Sequence, residues 1–214
     1  MDSSGLTDFT IQGNFIGTNI NGTAALGNFR VGIDVDGDNA VIGSTVPGRG
    51  NLVSGNSQSG IRLNGCDNCI VQGNLIGVAI DGVSPLGNIQ DGIELTGSNT
   101  LIGGVNPGEA NIIASNQRSG IGQYQTNVAN TGNRYLRNSI HSNGRLGIDF
   151  VIGAFAITPN DPSDTDVGPN NLQNFPVLTA ATSDGASGVT IQGTLNSNAN
   201  TLFTLEFFGN PTCD

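Results

Sequence analysis

The sequence predicts an all-β fold: a parallel β-helix of four to five rungs with three short strands in each. Two observations predict it. "IQGNFIG" at Ile11–Gly17 returns as "VQGNLIG" at Val71–Gly77, and the ungapped alignment of Ile11–Ile61 with Val71–Ile121 gives 23 identities in 51 positions. An internal duplication of that strength is the mark of a repeat architecture. Within it, Gly-Ile recurs at Gly32-Ile33, Gly60-Ile61, Gly92-Ile93, Gly120-Ile121 and Gly147-Ile148, in steps of 28, 32, 28 and 27 residues. One step is one rung, and the duplication spans two.

Each rung carries three apolar segments in fixed order. The first follows Gly-Ile ("GIDV", "GIRL", "GIEL", "GIGQ", "GIDF"), the second follows an Asn ("NAVI", "NCIV", "NTLI", "NRYL"), and so does the third ("NFI", "NLV", "NLI", "NII", "NSI"). The segments are too short, and too rich in Gly and β-branched residues, for amphipathic helices, and turn residues separate them every few positions.

Stacking accounts for the residue choices. Like strands lie over one another at ~4.8 Å, so like side chains stack. Ile33, Ile61, Ile93, Ile121 and Ile148 are expected to form an interior ladder, joined by Val35, Leu63, Leu95 and Phe150; Gln123 interrupts this second column and suggests a register change. Asn14, Asn51, Asn74, Asn111 and Asn138, each ahead of a third strand, are expected to be stacked turn residues, since Asn tolerates left-handed backbone angles and its amide can bond the next Asn.

The phrases "GNFIG", "LGN", "GIRL", "NTLIGG" and "NLVSGN" give the chain its family likeness. Over residues 8–150 it resembles the right-handed parallel β-helix repeat proteins of bacterial secreted and surface type, within the wider pectate-lyase-like architecture. The resemblance implies handedness and architecture; such phrases are what any β-helix needs, so they imply no activity. The polygalacturonase-like members carry clustered aspartates with Gly-His-Gly and Arg-Ile-Lys, whereas this chain has one His, His141, and no Lys. His141 is expected to be a surface turn residue.

Two pairs of longer loops recur with the two-rung period: residues 17–30 with 77–90, and 44–50 with 104–110. They are expected to stack into a ledge beside the first sheet. Leu26 and Leu86 would either anchor a cover over the core or wall a groove.

On the outward side of the first strands the alternation places Asp34, Arg62, Glu94, Gly122 and Asp149, acid and base on successive rungs. Asp34 and Glu94 would stand two rungs, ~9.5 Å, apart, near the upper limit for an inverting glycosidase pair, with Arg62 between them. Three readings compete: a stabilising charge ladder, a sugar-binding strip of Asp34, Asp36, Arg62, Asn64, Glu94 and Tyr124, and a catalytic set of Asp34, Arg62 and Glu94 in a polysaccharide lyase or glycoside hydrolase. In a lyase Arg62 would be the base, yet flanking carboxylates favour its protonated form.

Cys66 and Cys69 form a C-x-x-C in a turn. Zinc would need two more soft ligands, so a local disulfide or two packed thiols is expected. Cys213 has no evident partner. Beyond the helix (1–150), residues 151–171 read as an acidic linker, in which Asp164-x-Asp166-x-Gly168 has the alternating oxygens of a calcium loop without the rest of an EF-hand. Residues 172–214 read as a partial β-sandwich-like module, truncated at its C-terminus, with "GVTIQGTLN" and "NTLFTLEFFGN" as a hairpin after "FPVLTAA".

Composition narrows the function. The formal charge is −10 and all seven basic residues are arginine, which argues against nucleic acid and anionic membrane surfaces. No apolar run spans a bilayer, and the first residues lack the form of a signal peptide. The expectation is an extracellular structural or adhesive segment, secreted or at the cell surface with its signal removed. Its side would bind polysaccharide, and its open ends would permit end-to-end self-association.

Overall fold

The computed structural model describes residues 7–125 and 130–209. It is a parallel β-solenoid of about five turns, in which three five-stranded parallel sheets each receive one strand per turn. The first sheet stacks Ile33–Val35, Ile61–Leu63, Ile93–Leu95, Ile121–Tyr124 and Ile148–Val151. The second stacks Thr10–Ile11, Val41–Gly43, Ile70–Gln72, Leu101–Gly103 and Arg134–Leu136; the third stacks Phe15–Ile16, Leu52–Val53, Leu75–Ile76, Ile112–Ala114 and Ser139–His141.

The core is built from aliphatic columns, two from the first sheet and one from each of the others. Ile33, Ile61, Ile93 and Ile121 are buried together with Val35, Leu63 and Leu95, and meet Ile42, Val71 and Ile102 from the second sheet and Val53, Ile76 and Ile113 from the third. Ile148, on the last rung, is exposed. The register runs unbroken through Gln123, which pairs Leu95 on one side and Phe150 on the other. The suggested register change is therefore absent. Gln123 stays buried because its polar atoms are satisfied: Nε2 donates to the Asn130 carbonyl, and Oε1 accepts from the Tyr135 hydroxyl.

Two asparagine ladders brace the corners. In the expected one, Asn14, Asn51, Asn74, Asn111 and Asn138 pass hydrogen bonds from Nδ2 to the next Oδ1 at 3.0, 3.0, 2.9 and 2.9 Å. A second runs through Asn28, Asn56, Asn88, Asn116 and Asn143 at 3.0, 2.9, 2.9 and 3.0 Å. In both ladders the backbone N–H of each Asn but the last donates to the same oxygen above it, as Asn51 does to Asn74 at 3.1 Å. The left-handed backbone angles fall elsewhere, on Asn39, Asn68 and Asn99 before the second strands. Gly43 shows what the ladder demands of its neighbours: at φ +96°, a Cβ there would lie 2.5 Å from Asn74 Oδ1 and 1.9 Å from the Gln72 carbonyl.

Cys66 and Cys69 are joined in a disulfide inside the core; Cys213 lies outside the described residues. The long loops stack as expected, Ile80 N–H donating to the Gly22 carbonyl at 2.9 Å. Leu26 is nonetheless 71% exposed, so in the first of these loops it covers no core.

After the last rung the chain folds back across it. The C-terminal hairpin is formed by Val177–Ser183 and Val189–Thr194, antiparallel. "FPVLTAA" is thus the partner of "GVTIQGT", and residues 201–209, expected as a strand, form none. They run along the solenoid end instead: the Arg137 N–H donates to Glu206 at 2.8 Å, and Glu206 and Phe208 border a cavity of about 470 Å³ with Tyr135 and His141. His141 is the last residue of a third-sheet strand and not a turn residue. Among the described residues no helix is long and apolar enough to cross a membrane.

Candidate functional site

Three columns of side chains rise from rung to rung along the first sheet, two of them on its outer face. The pairing puts Asp34, Arg62, Glu94, Gly122 and Asp149 in one column. The adjoining columns follow from chain position: Asp36, Asn64, Thr96 and Tyr124 two residues further on, also on the outer face, and Val31, Ser59, Asp91, Ser119 and Leu146 just before Gly-Ile, of which Ser59, Asp91 and Ser119 are buried.

At the lower end the charges are committed to each other. Arg62 donates from Nε to Asp34 Oδ1 at 2.8 Å and from Nη2 to Asp34 Oδ2, a two-pronged ion pair that holds the guanidinium proton more tightly than usual. Asn64 Nδ2 reaches Asp36 Oδ1 at 3.5 Å. Asp34 and Arg62 are thus paired with each other, and a guanidinium so engaged is badly placed to act as a base.

At the upper end the chemistry differs. Asp91 has no exposed surface. It accepts the Ser119 N–H at 2.9 Å on Oδ1 and the Tyr124 hydroxyl at 2.5 Å on Oδ2. Glu94 is half-buried and accepts the Ser59 hydroxyl at 2.9 Å. Burial pushes both carboxyls above their usual range, against the pull of those hydrogen bonds and of Arg118 on Asp91 and Arg62 on Glu94. The Tyr124 hydroxyl is pushed up too, by burial and by its bond to Asp91.

Gly122 makes this contact possible. A Cβ there would stand 2.9 Å from the Tyr124 ring and 3.2 Å from Asp91 Oδ2. The missing side chain is the space through which Tyr124 leans back over its own strand to reach the rung below. Phe155 props the other side of the ring, edge-on with centroids 6.1 Å apart, and the Arg145 and Arg118 guanidinium groups sit 4.1 and 5.1 Å from the Phe155 centroid.

Asp149, expected to point into solvent, is 1% exposed. Returning residues 156–158 close over it and share with it a cavity of about 350 Å³. Its Oδ2 lies 3.4 Å from the Ser119 hydroxyl, and burial raises its pKa.

The structure therefore keeps the expected Asp34–Arg62–Glu94 row in register but gives its members different roles. Sequence reasoning missed Asp91, whose signal was there: it is the one acid in a column of Val, Ser, Ser and Leu. It also missed Asp161, which the fold brings against Asp164 and Asp166 in the post-solenoid segment, with oxygens of all three within 4.8 Å of one another.

Comparison with protein-family models, with curated proteins and with solved structures gives no match.

Proposed function

We propose that the chain is a rigid segment of an extracellular structural or adhesive protein, secreted or displayed at the cell surface, that binds polysaccharide along the outer face of its first sheet. The observation that carries this reading is the two-column strip on the outer face of the first sheet. Its exposed or half-buried members, Asp34, Arg62 and Glu94 beside Asp36, Asn64, Thr96 and Tyr124, offer carboxylate, guanidinium, amide and hydroxyl groups at the rung spacing on a surface braced by two continuous amide ladders, so a polysaccharide meets donors and acceptors that need no ordering. The Cys66–Cys69 disulfide supports an oxidising compartment.

The test is affinity electrophoresis and calorimetry against a panel of neutral and acidic polysaccharides. Arg62→Ala should change affinity less than threefold, because that guanidinium is engaged with Asp34, whereas Asn64→Ala combined with Tyr124→Ala should weaken binding at least tenfold. Retention of no polysaccharide in the panel would reject the binding face.

One observation favours a second reading, a glycoside hydrolase. Glu94, half-buried on the outer face beside the fully buried Asp91, has its carboxyl raised by burial, as a general acid requires. Mass spectrometry of the polysaccharides after long incubation decides: new oligosaccharides that vanish in Glu94→Gln would establish the enzyme, and their absence would leave the scaffold.

A further inference from the structure

We propose that Asp161, Asp164 and Asp166 form a calcium site that fastens the segment following the solenoid to the C-terminal hairpin. It stands independently of the polysaccharide reading. Each of the three carboxylates brings an oxygen within 4.8 Å of the others. Asp161 Oδ2 is occupied, accepting the Thr165 N–H at 3.1 Å and the Thr165 hydroxyl at 2.9 Å. Asp164, 5% exposed, accepts the Asn174 N–H at 2.9 Å on Oδ1 and the Ser197 hydroxyl on Oδ2.

The remaining oxygens point to a ligand. Asp161 and Asp166 are partly buried, but the Oδ1 atom of each is turned away from solvent and accepts no hydrogen bond. Buried carboxylate oxygens gathered without donors repel one another and have lost their water; a cation between them reverses both penalties. No guanidinium does so, for the single ion pair among the described residues is Arg62 with Asp34.

The donor set selects the ion. Oxygen alone, with neither imidazole nor thiolate, suits a hard cation. Calcium binds oxygen at about 2.3–2.6 Å, so two of its ligands lie up to roughly 5 Å apart, which admits the 4.8 Å spread. Magnesium, at about 2.0–2.1 Å, would require the loop to contract.

The position gives the site its purpose. Asn174 Nδ2 donates to the Asp161 carbonyl at 2.7 Å and to the Asn196 carbonyl at 2.7 Å, and the Ser163 N–H reaches Asn196 Oδ1 at 3.0 Å. The three acids thus lie at the joint between the post-solenoid segment and the residues that follow the hairpin's second strand. A bound ion would turn a mutually repelling cluster into a rivet.

The experiment uses the whole chain, stripped with EDTA and titrated with calcium chloride alone by calorimetry, with melting followed by circular dichroism. One calcium per chain is expected, with Kd about 10⁻⁴–10⁻³ M, and a rise in Tm of about 5 °C at about 10 mM calcium. Asp166→Asn should bind calcium at least tenfold more weakly, yet melt higher than the wild type in EDTA, because one repelling charge is gone. Asp81→Asn, the same charge change in a remote turn, should bind calcium normally. The proposal is overturned by the absence of a saturable heat and a melting shift, by an equal response to magnesium, or by an Asp166→Asn variant that binds calcium as the wild type does or melts lower in EDTA.

Discussion

Replacing Asn74 by Ala removes the middle of an amide ladder, and the structure fixes what is lost. Asn74 Nδ2 donates to Asn111 Oδ1 at 2.9 Å, to the Ile42 carbonyl at 3.0 Å and to the Gln72 carbonyl at 3.1 Å. Its Oδ1 accepts both the Asn51 N–H and Asn51 Nδ2. Some partners keep a bond after truncation: Gln72 still accepts from Ser44, Asn51 Nδ2 still donates to Ile11, and Asn111 Oδ1 still accepts the N–H of residue 74. The buried Asn51 N–H loses the acceptor it has here. An orphaned buried donor costs about 1–3 kcal/mol and each further hydrogen bond about 1 kcal/mol, so the loss should be about 3 kcal/mol. For a chain of this size that lowers Tm by roughly 6–12 °C. Asn14→Ala, at the exposed end of the same ladder, removes bonds to Asn51 and to the Gln12 carbonyl and should cost at most about 1 kcal/mol. The assay is urea denaturation of both variants, followed by circular dichroism. Equal midpoints for the two would refute the reasoning, since burial along the ladder would then carry no stability.

Acid should stabilise the outer-face cluster. The folded-state pKa values of Asp91, Glu94 and Asp149 are raised, chiefly by burial, so the native state binds these protons more tightly than the unfolded chain. Their contribution is full below the ordinary carboxylate range and is lost as pH rises through the raised values; Glu94→Gln, scanned by Tm from pH 4 to pH 8, should lose less stability on the alkaline side than the wild type. Reducing the Cys66–Cys69 disulfide reopens a loop of sequence separation 3; the loop-entropy relation puts that at about 2 kcal/mol. Tm in a phosphine reductant should fall by roughly 4–8 °C, and an unchanged Tm would show that core packing alone holds this turn.

What the sequence made legible is what the rungs repeat. Ile33, Ile61, Ile93 and Ile121 recur at near-constant spacing because each must fill the same cross-section, and the strand pairing follows the spacing without a slip. The ladder through Asn28, Asn56, Asn88, Asn116 and Asn143 recurs just as regularly, and was hidden only because its members sit in phrases that read as loops. Gln123 misled for a physical reason. A polar side chain in an apolar column implies a slip only if nothing satisfies it, and its acceptor's donor, Tyr135, lies on another sheet, where spacing along one column cannot reveal it. The burial of Asp149 was illegible for the same reason: it depends on non-repeating residues 156–158 folding back over the last rung.

In a solenoid the repeated residues are explained by stacking, so particular chemistry has to be sought where a column breaks its own rule. Asp91 stands among Val31, Ser59, Ser119 and Leu146; Gly122 stands where other rungs carry Asp34, Arg62, Glu94 or Asp149; Tyr124 follows Asp36, Asn64 and Thr96. These three exceptions occupy adjacent rungs and meet in one hydrogen bond, the Tyr124 hydroxyl on Asp91 across the space left at Gly122. Independent drift in three columns would scatter its exceptions over five turns. Their convergence marks the upper half of the first sheet, and not the Asp34–Arg62 pair beneath it, as the part of the face where binding or catalysis should first be sought.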